Sequence, residues 1–362
     1  MHARHPLSPD ALRDAAKPWP AMAACRGCFV GGQPVMRPGG GTIEVGQAWV
    51  LCMIPEVQRH PLPVIMVHGG GGQGTDFLST PDGRPGWAAR FLAAGFAVYV
   101  MDRPGHGRAP WHPEALGDMT PLPSYEDIAP RFTASRTLGS WPEAALHSQW
   151  PDDGLPGASP TLRQFMAGSG PMHTSLHIMQ ALARDAGAAL LDLVGPSVLL
   201  THSQGGPCGW LMADARPGLV RGIIAVEPLS PPFLAHPLGR LDWGLTAEPL
   251  TYAPPVTDPG ALADGRPRRL PHLAGFPIAV VAAEASWMAR SLPEVTAHLR
   301  GHGADAEDLH LADHGLHGNG HMMVSERNSD QIADLLIRWI ARNIPPSSPN
   351  RRSAKNDQPA DR

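Results

Sequence analysis

Charged residues are scarce in this sequence, and long apolar runs are missing from it. Charged side chains make up 17% of the 362 residues, and 33 acidic residues against 29 basic ones give a net charge of −4. Because nucleic-acid binding requires a basic surface, this balance argues against nucleic acid as a partner. No apolar stretch reaches the ~18 residues of a membrane span. With 43% hydrophobic residues, the composition predicts a globular chain of one large α/β domain or two small ones.

An apolar leader is also missing at the N-terminus, where Met1–His5 is followed by Pro6–Asp10. A secretory signal would have an apolar core at this position. The sequence as it stands therefore predicts a cytoplasmic protein. A periplasmic or secreted form, from which a leader has been removed, remains the alternative.

Cysteine is rare, with four residues in the chain. Cys25 and Cys28 have the C-x-x-C spacing of some metal and redox sites, but the sequence has no second pair of this kind and no strand–helix–strand context around this one. We therefore expect no metal or redox centre at these residues. Cys208 is expected to pack as a small apolar side chain.

Proline and glycine are abundant instead, with 41 and 40 residues, and they separate segments of regular periodicity. Short apolar or alternating runs predict strands, and apolar residues at helical spacing predict helices. Strands that alternate with helices form a mostly parallel sheet with helices on both faces, which makes the fold class α/β. The predicted strands are residues 42–53, 63–68, 96–102, 198–201, 220–227, 276–283 and 308–312, and the predicted helices are 87–94, 174–193, 206–215, one ending near 300, and 329–343.

Two long segments do not fit this alternation and are predicted to be insertions. Residues 111–173 contain scattered aromatic side chains, which favours a packed cap over the strand ends that shapes an apolar pocket. A surface insertion without such a role is the alternative. Residues 229–271 form a second, proline-rich insertion. The predicted organisation is an N-terminal extension (1–40), a core (41–110 and 174–343), the cap insertion (111–173) and a disordered tail (344–362).

Residues Thr201–Gly206 read Thr-His-Ser-Gln-Gly-Gly and follow the apolar run Pro196–Leu200. A strand that ends at a serine followed by small residues is typical of a nucleophile elbow, a strained turn that exposes the serine hydroxyl above the sheet. Ser203 is therefore the candidate nucleophile. Thr201 stands where the pattern G-x-S-x-G has its first glycine, and an idle serine in a glycine-rich turn remains the alternative.

A glycine-rich loop, His68–Gly74, follows an earlier predicted strand. Backbone N–H groups that stabilise an oxyanion must approach it to about 3 Å, and glycine permits that approach. We expect Gly70 or Gly71 to supply one donor and Gln204, the residue after the candidate nucleophile, to supply another. A phosphate-binding loop is disfavoured, because the spacing matches neither G-x-G-x-x-G nor a Walker A loop.

The general base is expected to be a histidine late in the chain, because hydrolases with this elbow have the order serine, acid, histidine. His321 lies between the last predicted strand and the final helix, and His317 is the alternative. The C-terminal histidines lack the arrangement of a metal site, so no metal is expected. Glu227 and Glu284 each end a predicted apolar strand, where a buried carboxylate needs a partner. Strand order favours Glu284, and the residues alone leave both acids open.

Six segments share a pattern with known proteins: 80–87 (TPDGRPGW), 203–205 (SQG), 226–228 (VEP), 317–323 (HGNGHMM), 326–328 (ERN) and 331–340 (QIADLLIRWI). Together they resemble a group of bacterial esterases with the α/β-hydrolase fold, whose Ser–His–Glu triad has its glutamate one strand earlier than usual. The resemblance extends from about residue 27 to residue 343, with gaps at the insertions. It implies an α/β-hydrolase fold with Ser203 as nucleophile, His321 as base and Glu227 as acid.

The resulting hypothesis is a serine hydrolase that cleaves a carboxylic ester through an acyl-enzyme, with no metal or organic cofactor. Its expected partner is a small-molecule ester, and a homodimer is left open. The same triad could act on an amide, lactone, thioester or carbonate, because these share the acyl chemistry and the cap sets specificity. A catalytically silent binding protein of this fold is the remaining alternative, and a missing triad residue would mark it.

Overall fold

A computed structural model describes residues 19–264 and 266–344, and its centre is an eight-stranded sheet. The strands are β1 (Met22–Met36), β2 (Thr42–Pro55), β3 (Val64–Val67), β4 (Val98–Asp102), β5 (Ser197–His202), β6 (Val220–Val226), β7 (Ala235–His236), β8 (Gly239–Arg240), β9 (Pro277–Ala282) and β10 (Asp305–His310). The order in the large sheet is β1-β2-β4-β3-β5-β6-β9-β10, and β7 pairs with β8 in a separate ribbon.

The pairing of these strands is mostly parallel. β1 with β2 and β2 with β4 are antiparallel, and the remaining pairs of the large sheet are parallel. β3 and β5 are buried along their whole length, which is why their sequences are continuous apolar runs without alternation. The mostly parallel sheet that the alternation of strands and helices predicts is confirmed.

Helices cover both faces of this sheet, as predicted. Ile65 and Val67 of β3 belong to one apolar core, whereas Val64 and Met66 belong to the other, because successive side chains of a strand point to opposite faces. The helices are α1 (Thr75–Leu78), α2 (Trp87–Ala94), α3 (Pro113–Leu116), α4 (Tyr125–Ile128), α5 (Ser135–Leu138), α6 (Pro160–Gly168), α7 (Leu176–Val194), α8 (Gly205–Ala215), α9 (Leu292–Gly301) and α10 (Ser329–Asn343). The first core includes residues of α7, α8 and α9, and the second includes residues of α2 and α10.

The two edges of the sheet differ from the prediction. β1 lies inside the segment predicted to be an N-terminal extension, and Val30 is its one buried residue. β10 begins at Asp305, earlier than the predicted strand 308–312, and Leu311–His314 is a 3₁₀ turn. An edge strand has a neighbour on one side and exposes more of its side chains, so its hydrophobic pattern is weaker than that of a central strand.

Residues 111–173, the predicted cap, contain the short helices α3 to α6 together with the helical turns Ala129–Thr133 and Pro142–Leu146. Ile128, Ala134 and Leu162 contribute to a small apolar core within this segment. Of the predicted tail, only Ile344 is among the described residues, and the first 18 residues of the predicted extension also lie outside them. The domain boundaries therefore stay a prediction.

Cysteine placement follows from these elements. Cys208 is fully buried in α8 within an apolar core, as predicted. Cys25 and Cys28 are free, exposed thiols on β1. Within residues 19–264 and 266–344, no group of three or more histidine, cysteine, aspartate or glutamate residues is arranged to hold a metal ion. No helix in that part of the chain is long and apolar enough to cross a membrane.

We predict that Gly205→Ala destabilises the protein, because a Cβ there would lie 2.6 Å from Val67 O and 2.7 Å from His68 O. Backbone atoms of a central strand cannot move aside easily, and such overpacking costs about 1–3 kcal/mol. Gly301→Ala, at the exposed end of α9 with nothing within 4 Å of the new Cβ, is the control and should unfold at or above the native temperature. Thermal unfolding of both variants checks this, and equal midpoints would contradict it.

Candidate active site

Ser203 occupies the turn between β5 and α8 in a strained backbone conformation. Its φ angle is +54°, a left-handed value that is uncommon for residues other than glycine. Backbone hydrogen bonds hold the turn: Ser203 N–H donates to Val226 O at 2.9 Å, and Ser203 O accepts from Gly206 N–H at 2.9 Å and Leu229 N–H at 3.0 Å. The predicted strand–turn–helix context of Ser203 is therefore present, and Ser203 lines a cavity.

The departure from G-x-S-x-G at Thr201 has a steric explanation. A Cβ at Gly209 would lie 2.7 Å from Cγ2 of Thr201. A glycine in α8 therefore provides the space that a glycine at position 201 would otherwise provide. Gly206 serves the same close packing, because a Cβ there would collide with Pro228.

Glu227 and His321, the acid and base implied by the resemblance, lie in contact. His321 Nδ1 is 2.6 Å from Glu227 Oε2, and both side chains are buried. The Glu227 carboxylate also accepts hydrogen bonds from Ala283 N–H at 2.9 Å and from the Ser286 hydroxyl at 2.6 Å. Three donors thus compensate the burial of this carboxylate. Glu227 itself has a left-handed backbone, with φ +42°.

The two alternative candidates, Glu284 and His317, lie in contact with each other instead. His317 Nδ1 is 3.2 Å from Glu284 Oε2, and Gly318 N–H donates to Glu284 Oε1 at 2.6 Å. The His317 side chain is 63% exposed, and neither residue is among those that line the cavity with Ser203. The structure therefore brings Glu227, and not Glu284, to His321.

His202, which the sequence analysis did not single out, contacts the backbone of His321. The two rings lie 4.6 Å apart between centroids, and His202 Nε2 is 3.0 Å from His321 O. Burial, with the nearby His321, lowers the pKa of His202 to about 3. A neutral His202 therefore donates its Nε2–H to the His321 carbonyl. Its position next to Ser203 was the one available sequence signal.

The glycine loop lies against Ser203 and the residue that follows it. A Cβ at Gly69 would lie 3.0 Å from Ser203 Cβ, and one at Gly70 would lie 2.6 Å from the Gln204 side-chain carbon Cδ. Gly71 has φ +65°, and its carbonyl accepts a hydrogen bond of 2.7 Å from Gly170 N–H. The three predicted oxyanion-hole residues, Gly70, Gly71 and Gln204, thus share the wall of the cavity with Ser203.

Two buried side chains, His68 and Arg103, orient the first peptide of this loop. Burial, together with the positive charge of Arg103, holds the pKa of His68 well below its usual range. His68 Nε2 accepts from Arg103 N–H at 3.0 Å, which leaves the proton on Nδ1, 2.8 Å from Gly69 O. The Arg103 guanidinium also donates to Gly69 O at 2.7 Å. With this carbonyl fixed, the conformation of the loop is restricted where it approaches Ser203.

The cavity has a volume of about 790 Å³ and a largely apolar wall. Trp287 and Phe132 stand next to the His321 ring, with centroids 4.6 and 5.6 Å from it. The predicted cap contributes one side of the wall and residues after Glu227 contribute the other. Its apolar side chains include Leu122, Ile128, Phe132, Phe165, Met172, Leu229, Leu234, Leu238, Trp287 and Met288.

Asp76 is an acidic group in this cavity that sequence reasoning missed. It lies in α1, directly after the glycine loop, and its Oδ2 accepts a hydrogen bond of 3.3 Å from Gln73 N–H. Burial is the main cause that raises its pKa to about 7, and the nearby Asp102 raises it further. The side chain is therefore neutral in acid and becomes charged as the pH rises through 7.

We predict that Asp76→Asn gains stability relative to the native protein as the pH rises. The folded carboxyl has its pKa near 7 instead of 3.8, so the folded state binds the proton more tightly and its stability falls with increasing pH between these values. The Asp76→Asn variant has no carboxyl to titrate, so its stability does not fall in this way, and its side-chain oxygen can still accept the hydrogen bond from Gln73 N–H. Thermal midpoints at pH 4 and pH 8 should show the variant improving relative to native.

Asp192→Asn is the control for this measurement. Arg216 lowers the pKa of Asp192 through a side-chain hydrogen bond, so the native carboxylate contributes stability that appears above the unfolded pKa and is lost as the pH falls. As the pH rises from 3 to 6, the Asp192→Asn variant should therefore lose stability relative to the native protein. This change is opposite in sign to the one expected for Asp76→Asn. A pH-independent difference for Asp76→Asn would contradict the prediction.

Comparisons with known proteins agree on one fold. Residues 63–248 match a protein family described as alpha/beta hydrolase fold. The chain is 38% identical over 322 residues to "Probable secreted lipase phiG" from Fungal sp. (strain ATCC 74256). This match covers 83% of the present chain and 87% of the lipase. A solved structure described as a novel bacterial esterase superimposes with a TM-score of 0.63 at 23% identity, covering 91% of this chain and 99% of that one. At this identity, the superposition is evidence for the fold alone.

Proposed function

The chain belongs to the α/β-hydrolase fold family, and on this premise we propose that it is a serine hydrolase that cleaves carboxylic esters through an acyl-enzyme. In this proposal Ser203 is the nucleophile, His321 the general base and Glu227 the acid. The observation that supports it most strongly is the buried contact of 2.6 Å between His321 Nδ1 and Glu227 Oε2. The cavity lined by both Ser203 and His321 adds to that support.

The proposed reaction uses the two nitrogens of His321 differently. Its Nδ1–H donates to Glu227, which leaves Nε2 to accept the proton of the Ser203 hydroxyl. The Ser203 oxygen attacks the acyl carbon, and the carbonyl oxygen becomes an oxyanion. His321 then protonates the departing alcohol, and the ester bond breaks to give the acyl-enzyme. A water molecule, deprotonated by His321, releases the acid and restores Ser203.

The oxyanion is assigned to backbone N–H groups. We assign one donor to Gln204, at the start of α8, and the other to Gly70 or Gly71. The hydrogen bonds from His68 and Arg103 to the Gly69 carbonyl support this assignment, because they fix the backbone at the start of the glycine loop without a contribution from the substrate. Preorganised donors of this kind stabilise the transition state more than the neutral ester.

The substrate proposed from the cavity is a small-molecule ester with apolar substituents. Aromatic and aliphatic side chains form most of the wall, and its volume is about 790 Å³, which is within the range of pockets for drug-sized ligands. The lipase description of the relative that is 38% identical supports an ester as substrate. Because the similar lipase is described as secreted, the secreted alternative is favoured over the cytoplasmic one for this chain. The homodimer stays a prediction.

We predict that Ser203→Ala loses ester hydrolysis by about 10⁴-fold or more while it keeps the native fold. The measurement is release of p-nitrophenol from esters between acetate and palmitate, beside the matching p-nitroanilides. A fluorophosphonate should label the native protein and Ser197→Ala, which changes a buried serine at the other end of β5. Labelling of Ser203→Ala at the native rate would overturn the proposal. Faster cleavage of the anilides than of the esters would assign an amide, and not an ester, as the substrate.

We predict that Glu227→Gln lowers kcat by about 10³–10⁴-fold, because an amide cannot stabilise the imidazolium and favours the wrong tautomer of His321. Glu284→Gln is the matched control and should lower kcat less than tenfold, since the amide oxygen can still accept from Gly318 N–H. Steady-state kinetics on one ester compare the two. A larger loss for Glu284→Gln would assign the acid to Glu284 and leave Ser203 as nucleophile.

A further inference from the structure

We propose that Glu326 is a positioning residue for His321, and that His147 connects it to the 111–173 segment. The inference rests on the proposed role of His321 as the general base. Neither Glu326 nor His147 lines the cavity, and the proposed reaction does not use either of them. Both side chains are nevertheless buried, with exposures of 0% and 1%.

Glu326 receives three hydrogen-bond donors in the interior of the protein. Its Oε1 accepts from His147 Nε2–H at 2.7 Å and from Gly320 N–H at 2.9 Å, and its Oε2 accepts from the Asn319 amide at 2.7 Å. A buried carboxylate is costly unless donors surround it. Two of these donors belong to the residues immediately before His321, so satisfying the carboxylate also determines the path of the chain into His321.

His321 is consequently held on three sides. The peptide that precedes it is bound through Gly320 N–H to Glu326. Its own carbonyl accepts from His202 Nε2–H at 3.0 Å, and its ring Nδ1 contacts Glu227 at 2.6 Å. The ring contact restricts the side chain of His321 but leaves the adjacent peptides free to move. The two backbone contacts fix those peptides, so that backbone and ring together hold Nε2 in one position.

The 147–151 stretch of the predicted cap lies directly on this loop. Ser148 N–H and Gln149 N–H donate to Gly318 O at 2.9 and 3.2 Å. The Gln149 amide donates to His317 O at 2.9 Å, and Gln149 O accepts from Arg327 N–H at 2.8 Å. These bonds attach the segment that covers the cavity to both ends of the loop that contains His321.

The glycines of the sequence His317–His321 make this contact possible. A Cβ at Gly318 would collide with the Ser148 hydroxyl, and Gly318 has φ +77°. A Cβ at Gly320 would lie 3.1 Å from His147 Nε2 and 3.2 Å from Glu326 Oε1, closer than a side chain normally approaches. The H-G-N-G-H pattern thus has a local purpose besides placing the base: it lets the cap segment and the Glu326 carboxylate approach the backbone.

The test compares Glu326→Gln, His147→Phe and His147→Gln with His173→Phe. We expect Glu326→Gln to lower kcat by about 10- to 100-fold, because a displacement of about 1 Å at a reacting group can have an effect of that size. KM should stay within about threefold of native, since Glu326 does not line the cavity. His147→Phe should lower kcat in the same way, and His147→Gln should recover part of the loss because its amide N–H can reach Glu326.

His173→Phe is the matched control. His173 is also a buried histidine of the 111–173 segment, 3% exposed, but it bonds to Leu116 O and Ser175 N–H and not to the loop of His321. A general loss of stability in the segment would lower the thermal midpoint of both histidine variants alike. Positioning predicts that kcat falls for the His147 and Glu326 variants and stays native for His173→Phe.

A second readout reports the position of His321 without substrate. The Nδ1 proton shared with Glu227 should give a downfield proton resonance that is lost in Glu227→Gln. We expect this resonance to broaden in Glu326→Gln, because the imidazole samples more orientations, and to stay sharp in His173→Phe.

A native kcat with a sharp resonance in Glu326→Gln would overturn the proposal, as would equal losses of kcat for all variants in step with their thermal midpoints. If the native protein neither cleaved esters nor reacted with the fluorophosphonate, the proposed function would fail, and the resonance would still decide whether Glu326 positions His321.

Discussion

The buried Glu227 carboxylate at the end of β6 is the constraint on which the rest of the site depends. A carboxylate in the interior must be surrounded by donors, and here they come from Ala283, Ser286 and His321. Meeting that requirement brings together the ends of β6 and β9 and the loop before α10. Ser203 N–H donates to Val226 O at the end of the same strand. Ser203 and Glu227, which both have a left-handed backbone, therefore follow the ends of the neighbouring strands β5 and β6.

Close approach of backbone segments is the second constraint, and glycine meets it at each junction. Gly69 and Gly70 bring an early loop against the elbow, and Gly205 brings α8 against the end of β3. Gly209 makes room for Thr201, so that the elbow forms although its usual first glycine is replaced. The contacts of Gly69, Gly70 and Gly205 join elements far apart in the chain, and a Cβ at most of these positions would push backbone or buried side chains apart.

A second buried carboxylate, Glu326, extends the same logic to the loop that contains His321. Its donors come from that loop and from His147 of the 111–173 segment, which also contributes Phe132 and Phe165 to the cavity wall. The segment therefore has two structural relations to the candidate site, since it lines the cavity and supports the loop. A change within it can affect the orientation of His321 as well as the shape of the cavity.

By itself, the sequence determined the features that depend on neighbouring residues: the central apolar strands, the helices between them, the elbow at Ser203 and the glycine loop. Local periodicity and turn chemistry encode these directly, whereas the exposed edge strand β1 carried no such pattern and was missed. The choice between Glu227 and Glu284 needed a resemblance, because both residues end apolar strands. Only the tertiary structure paired Glu284 with His317 and Glu227 with His321. Likewise, only the tertiary structure brought His147 to Glu326, 179 residues away. Contacts across such separations arise from strand order and loop packing, which cannot be predicted from the spacing of neighbouring residues.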